Sequence, residues 1–123
     1  MDLPAMREFA SRYTQAWCSH EPNRVAAFFA EGGSIAINGG PASVGRQAIA
    51  ATVAEFMTAF PDMVVRMDDL RRVGDGFEYH WTLTATSMQI SGYEEWMIGA
   101  DGLIARSLGH FDDAEYQRQL GGA

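Results

Sequence analysis

The sequence is poor in cations and in cysteine, and it has no long apolar run. Nine Lys or Arg residues stand against sixteen Asp or Glu residues, a formal net charge of −7. Such a chain repels a phosphate backbone unless its few cations cluster, so no nucleic-acid partner is expected. The single Cys18 excludes an internal disulfide and fits a reducing compartment. The longest apolar runs, such as residues 25–30, fall far short of the roughly 20 residues of a membrane span, so no bilayer crossing is expected. The opening Met1-Asp2-Leu3-Pro4 lacks the basic start and apolar stretch of a secretory signal, and the expected location is the cytoplasm. There is no internal repeat and no low-complexity segment.

What remains is a chain of 123 residues, 47% hydrophobic and 20% charged, which fits one domain over residues 1–123 with a real core. Seven Met, seven Phe, four Tyr and three Trp are an excess of large side chains. They either fill that core or line a hole.

Residues 4–19 carry Met6, Phe9, Ala10, Tyr13, Ala16 and Trp17 at the spacing of one helix face. Glu21 and Pro22 fit the start of a second helix, with Val25, Phe28 and Phe29 as its buried face and Gly32-Gly33 as its stop. Residues 34–38 read as a short strand and 39–45 as a loop. A third helix buries Ile49, Val53, Phe56, Met57 and Phe60 and ends at Pro61. Beyond it the period changes to two, with turn residues at regular intervals. That pattern predicts antiparallel strands near 63–73, 77–87, 89–98 and 103–111. Asp112 and Glu115 form a capping box for a short last helix. The expected fold class is α+β: a cone-shaped, curved antiparallel sheet, a meander, wrapped around three N-terminal helices, with an internal pocket. The outer sheet face is expected to pair two copies into a homodimer.

The segments Arg12-Tyr13-Thr14-Gln15-Ala16-Trp17, Ala26-Ala27-Phe28-Phe29-Ala30-Glu31, Tyr79-His80-Trp81-Thr82, Asp101-Gly102-Leu103-Ile104, Phe111-Asp112 and Gln119-Leu120 together resemble the nuclear transport factor 2-like superfamily, and within it the SnoaL-like polyketide cyclase group. The resemblance covers nearly the whole chain. It implies an α+β cone with a pocket, often dimeric, and activities that range from isomerases, cyclases and epoxide hydrolases to proteins without catalysis. The fold therefore does not settle the function.

Carried over position by position, the resemblance places Tyr13 where ketosteroid isomerases have a donating tyrosine. It places Ile37 where they have a proton-shuttling carboxylate, and a hydrocarbon cannot take a proton; the neighbouring Asn38 is polar but no base. Their second carboxylate falls at Glu94 or Glu95. The two aspartates and arginine of limonene-type epoxide hydrolases have no counterpart around Tyr79-His80-Trp81 or Ser107-Leu108-Gly109. The acid/base aspartate of SnoaL-type cyclases points to His110 or Asp112.

The catalytic candidates are therefore Tyr13, Glu95, His110 and Asp112. Glu95 alternates with Tyr93 and Met97 and would have a raised pKa on an inward face. The register of the hairpin around Asp101 and Gly102 decides between Glu94 and Glu95. Each candidate also has a plainer reading: Tyr13 as core packing, Glu95 as a paired surface carboxylate, Asp112 as a helix cap. The candidates for ligand contact are Tyr13, Trp17, Phe28, Phe56, Met57 and Phe60 on helices, Tyr79, Trp81, Met97 and Ser107 on strands, and Asn38. No cofactor is expected, and no His or Cys cluster supports a metal. The expected partner is a hydrophobic small molecule. The first functional expectation is a small-molecule-binding protein; the alternatives are an isomerase- or cyclase-type enzyme acting on a hydrophobic carbonyl compound, and an interaction domain whose cone is filled by its own side chains.

Overall fold

A computed structural model describes residues 2–121. Helix α1 (Leu3–Cys18) starts because the Asp2 carboxylate accepts the Ala5 amide at 2.8 Å and Pro4 needs no donor in the first turn. Its buried stripe is Met6, Phe9, Ala10, Tyr13 and Ala16. A short α2 (Pro22–Ala26) follows, then β1 (Phe29–Ile37), a two-residue β2 (Ser43–Val44) and α3 (Arg46–Ala59), which ends just before Phe60 and Pro61 as the sequence predicts. The chain then runs through β3 (Val64–Val73), β4 (Gly76–Ala85), β5 (Met88–Ile98) and β6 (Ile104–Phe111) to α4 (Asp113–Leu120). The six strands form one sheet in the order β2-β1-β6-β5-β4-β3. No helix among the described residues is long and apolar enough to cross a membrane.

The four-stranded meander β3 to β6 is present as expected, but the sheet is mixed, because β1 runs parallel to β6. Two local readings change with it. The second helix stops at Ala26, and Phe29 opens a strand: it pairs with Ile104, whose amide donates to the Phe28 carbonyl at 3.0 Å, while Arg46 Nε donates to the Phe29 carbonyl at 2.9 Å. Periodicity cannot tell a short apolar run on a helix from one on a buried strand, and here the long-range pairing wins. Residues 43–44, expected in a loop, pair with β1 at Ser34 and Ile35.

The β4–β5 hairpin sets the inner face. Ala85 pairs with Met88 across a two-residue turn at Thr86 and Ser87, and the pairing continues without a bulge to Tyr79 opposite Glu94 and Phe77 opposite Trp96. Asp62 pins this turn by accepting the Thr86 amide at 2.8 Å. A two-residue turn pairs odd positions with even ones, so the inward odd residues of β4 face the even residues of β5. Met88, Ile90, Glu94 and Trp96 therefore turn to the buried face of the sheet, and Glu95 turns out.

Gly92 makes a close crossing possible on that face. A Cβ there would lie 2.3 Å from the His110 carbonyl oxygen and 2.6 Å from the Trp81 ring. Because one of those neighbours is backbone, Gly92→Ala is expected to cost on the order of 1–3 kcal/mol, read as a lower urea midpoint. An unchanged midpoint would show that β6 gives way freely at this point.

Candidate functional site

Glu94 lies on β5 between Tyr79 of β4 and Gly109 of β6, only 6% exposed. Its Oε1 accepts three hydrogen bonds, from Ser107 Oγ at 2.7 Å, Trp96 Nε1 at 3.0 Å and Tyr13 Oη at 3.0 Å. Its Oε2 receives only the longer branch of the Tyr13 bond, at 3.1 Å. None of these partners carries a charge. Burial pushes the Glu94 carboxyl above the usual range, and the bonds from Trp96, Ser107 and Tyr13 pull it partly back. The outcome is a carboxyl surrounded by neutral donors, with one oxygen saturated and the other nearly free.

Glu94 also borders a cavity of about 70 Å³ on the inner face of the sheet. Ile35, Ile37, Val53, Val65, Leu83 and Ile90 give it aliphatic walls, and Trp17, Phe56, Tyr79, Trp81, Phe111 and Tyr116 contribute six aromatic rings. Tyr116 comes from α4, which packs it against Phe56, Phe60 and Phe111 at ring separations of 6.4, 6.1 and 5.1 Å. Helix α4 is tied down at its far end, where Gln119 Oε1 accepts the Gln89 amide at 2.8 Å and Gln119 Nε2 donates to the Gln89 carbonyl at 2.9 Å. Gly109 leaves room beside the acid: a Cβ there would meet Glu94 Cγ only at 4.0 Å and Ile37 at 3.7 Å.

The two tyrosines beside Glu94, Tyr13 behind the wall and Tyr79 in it, are committed. Tyr13 is fully buried, and burial and the neighbouring Glu94 raise its phenol well above the ordinary value. Tyr79 Oη lies 2.5 Å from Thr14 Oγ1, whose own proton goes to the Ala10 carbonyl at 2.8 Å, so Tyr79 is the donor of the pair. Its ring stacks on Trp96 at 4.9 Å.

The candidates from the sequence divide accordingly. Trp17, Phe56, Tyr79 and Trp81 line the cavity, while Tyr13 and Ser107 stand behind it as partners of Glu94. Phe28, Met57 and Phe60 are core: Phe28 packs on Phe9 and Tyr13 at 5.2 and 5.7 Å. Asn38 closes a turn instead, with a φ of 52° and its Oδ1 accepting the Phe111 amide at 2.9 Å.

Glu95 does not face inward. The two-residue turn puts it on the outer face, 49% exposed, with its Oε2 2.6 Å from His110 Nε2. Met97 shares that face and is 40% exposed. His110 borders the cavity along the strand, but its imidazole stacks on Tyr93 at 4.8 Å and is held by Glu95. Asp112 is the cap of α4, accepting the Glu115 amide at 3.1 Å. Among the described residues no group of three or more His, Cys, Asp or Glu is placed to hold a metal. Sequence reasoning preferred Glu95 and kept Glu94 as the alternative, and it did not single out Gly109, Phe111 or Tyr116 as neighbours of the acid.

Comparison with known proteins bears on the family and the fold. The family profile described as SnoaL-like domain matches residues 10–107. A SnoaL-like protein of unknown function from Burkholderia thailandensis superposes with a TM-score of 0.80 at 17% identity, covering 91% of this chain and 98% of the other. TsrD from Streptomyces laurentii gives 0.80 at 17% identity over 100% and 99% of the two chains. A hypothetical protein with a ketosteroid isomerase-like fold from Catenulispora acidiphila, solved in complex with trimethylamine, gives 0.78 at 17% identity over 93% and 92%. Identities this low speak for the fold alone. No curated protein matches the chain. With a family match over most of its length, the chain belongs to the SnoaL-like domain family.

Proposed function

We propose that this protein binds a small, largely apolar molecule in the cone and meets it with the Glu94 carboxyl. The observation that carries this reading is a buried acid on a wall that, apart from Thr52 and His110, is apolar and aromatic. Folding leaves such a group dry only at a cost, and ligand sites are where such arrangements recur. The trimethylamine complex of the Catenulispora protein supports small-molecule occupancy of this fold. A second reading, acid–base chemistry on a hydrophobic carbonyl compound, is favoured by the nearly free Oε2, which is the oxygen able to hold or release a proton.

The cavity is roughly half the ~150 Å³ hole that admits benzene, so compact probes are the appropriate test. A set sharing one tert-butyl group (tert-butanol, pinacolone, tert-butylammonium and pivalate) is added to the protein, and amide shifts are followed by NMR. At least one member is expected to shift residues around Glu94 and to raise the melting temperature. Gly109→Leu, which grows a side chain into the space beside Glu94, is expected to abolish both effects while its circular dichroism stays native. Gly109→Ala, whose Cβ meets only ordinary contacts, is the milder control. If no probe acts on the wild type, or Gly109→Leu responds equally, the cavity is not a ligand site.

A further inference from the structure

We infer that the ligand of this cavity is a compact hydrophobic ammonium ion, held by Glu94 Oε2 inside the ring of aromatic side chains. This deepens the proposed function and rests on it.

Three features converge on a cation. First, Trp96 Nε1 can only donate, and the hydroxyls of Tyr13 and Ser107 are aimed at the same carboxyl. With all three donating, Glu94 is solvated as an anion by neutral dipoles and lacks only a counter-charge. Second, among the described residues no counter-charge contacts it: its hydrogen-bond partners are a phenol, an indole and an alcohol, the one basic residue on the cavity border, His110, has its Nε2 on Glu95 of the outer face, and the phenols beside Glu94 are those of Tyr13 and Tyr79. Burial raises both of these above their ordinary value, so neither ionises near neutrality. A ligand N–H can donate to Oε2, which has only a share of the Tyr13 proton. Third, the rest of the wall, Thr52 and His110 apart, is aromatic and aliphatic. Six rings provide the electron-rich surface that attracts an alkylated ammonium, and the aliphatic walls receive its carbon substituents. The net charge of −7 adds a field that draws cations and repels carboxylate ligands.

A neutral carbonyl ligand fits less well. It needs Glu94 protonated to receive a hydrogen bond, and it leaves three donors converging on an acid that no longer carries charge. Small size follows from the cavity volume of about 70 Å³, which restricts the enclosed part of the ligand to a few carbon atoms around the nitrogen.

The test uses the tert-butyl series by calorimetry at neutral pH, with tert-butylammonium, pinacolone and pivalate compared on the wild type, Glu94→Gln and Gly109→Leu. The ammonium is expected to bind at least about tenfold more tightly than the ketone. Glu94→Gln should weaken the ammonium on the order of tenfold or more while leaving the ketone within about twofold. Pinacolone binding as tightly as the ammonium, or ammonium binding indifferent to Glu94→Gln, overturns the inference and leaves the small-molecule site intact. Ammonium binding that survives Gly109→Leu is attraction to the acidic surface and overturns it as well. If no member binds, the proposed function falls and this inference with it.

Discussion

Glu94→Gln is expected to change how stability depends on pH, by making the variant progressively more stable than the wild type as pH rises. The free acid in an unfolded chain titrates near 4.3, and burial raises the folded value above that. The native state therefore holds its proton where the unfolded state has already lost it. The stability that this proton contributes is complete below the unfolded value and is lost as pH rises through the folded one. Glutamine is neutral at every pH, and its carbonyl can still accept from Ser107 and Trp96, so the variant lacks this loss. Urea unfolding from pH 4 upward should show the difference growing by at most about 1.4 kcal/mol per pH unit, then levelling off once Glu94 is ionised in both states. Asp62, Asp68, Asp69 and Glu115 have folded pKa values shifted downward, and the contributions of opposite sign that they make are common to both proteins. Parallel curves would show that Glu94 titrates as an ordinary surface acid.

Trp96→Ala is expected to be the most damaging single change on the buried face of the sheet, costing about 3–5 kcal/mol against a total stability on the order of 5–15 kcal/mol for a domain of this kind. Trp96 is 1% exposed. Its ring stacks on Tyr79 and meets Tyr13 and Phe9 edge to face at 5.1 and 5.8 Å. The change removes that packing and one of the donors of Glu94 together. Trp96→Phe separates the two effects, because it keeps a ring and loses Nε1. Its cost is expected to be about 1.5–3 kcal/mol where Glu94 is ionised and smaller at acid pH, where the protonated carboxyl needs the donor less. Chemical denaturation of both variants at two pH values on either side of the Glu94 titration is the check. A Trp96→Phe cost that is the same at both would mean that the indole N–H does not serve the charge.

Much of this was legible in the chain. The stripe of α1, the stop of α3 at Pro61, the four-stranded meander and the Asp112 cap all follow from local chemistry: periodicity, proline geometry and capping residues act within a few positions. What was not legible depends on partners far away. The parallel pairing of β1 with β6 turns Phe29 from a helix residue into a strand residue, and nothing local to residues 25–31 announces it.

The inward acid is the instructive case. Expecting Glu95 followed from its alternation with the apolar pair Tyr93 and Met97, with the register left to the hairpin around Asp101 and Gly102. The two-residue turn at Thr86 and Ser87 is what sets the face, because one residue changes which face every side chain of β5 presents. A signal was available in the alternation itself. The even positions Met88, Ile90, Trp96 and Ile98 are uniformly apolar, whereas the odd set contains Gln89 and Ser91, and extending the pattern over the whole strand assigns Glu94 to the core. Asn38 and Ser107 show a second kind of limit. Their types suit ligand contact, but the fold uses one to hold Phe111 and the other to hold Glu94.

The account rests on Glu94 as a buried acid that a ligand cation completes, and its most direct test is the carboxyl carbon shift of Glu94 followed by NMR through a pH titration, with Glu94→Gln assigning the signal. The expected result is a titration above the ordinary glutamate range that moves downward when tert-butylammonium is present. A Glu94 signal that titrates at or below the ordinary range and does not respond to the ammonium would contradict the account.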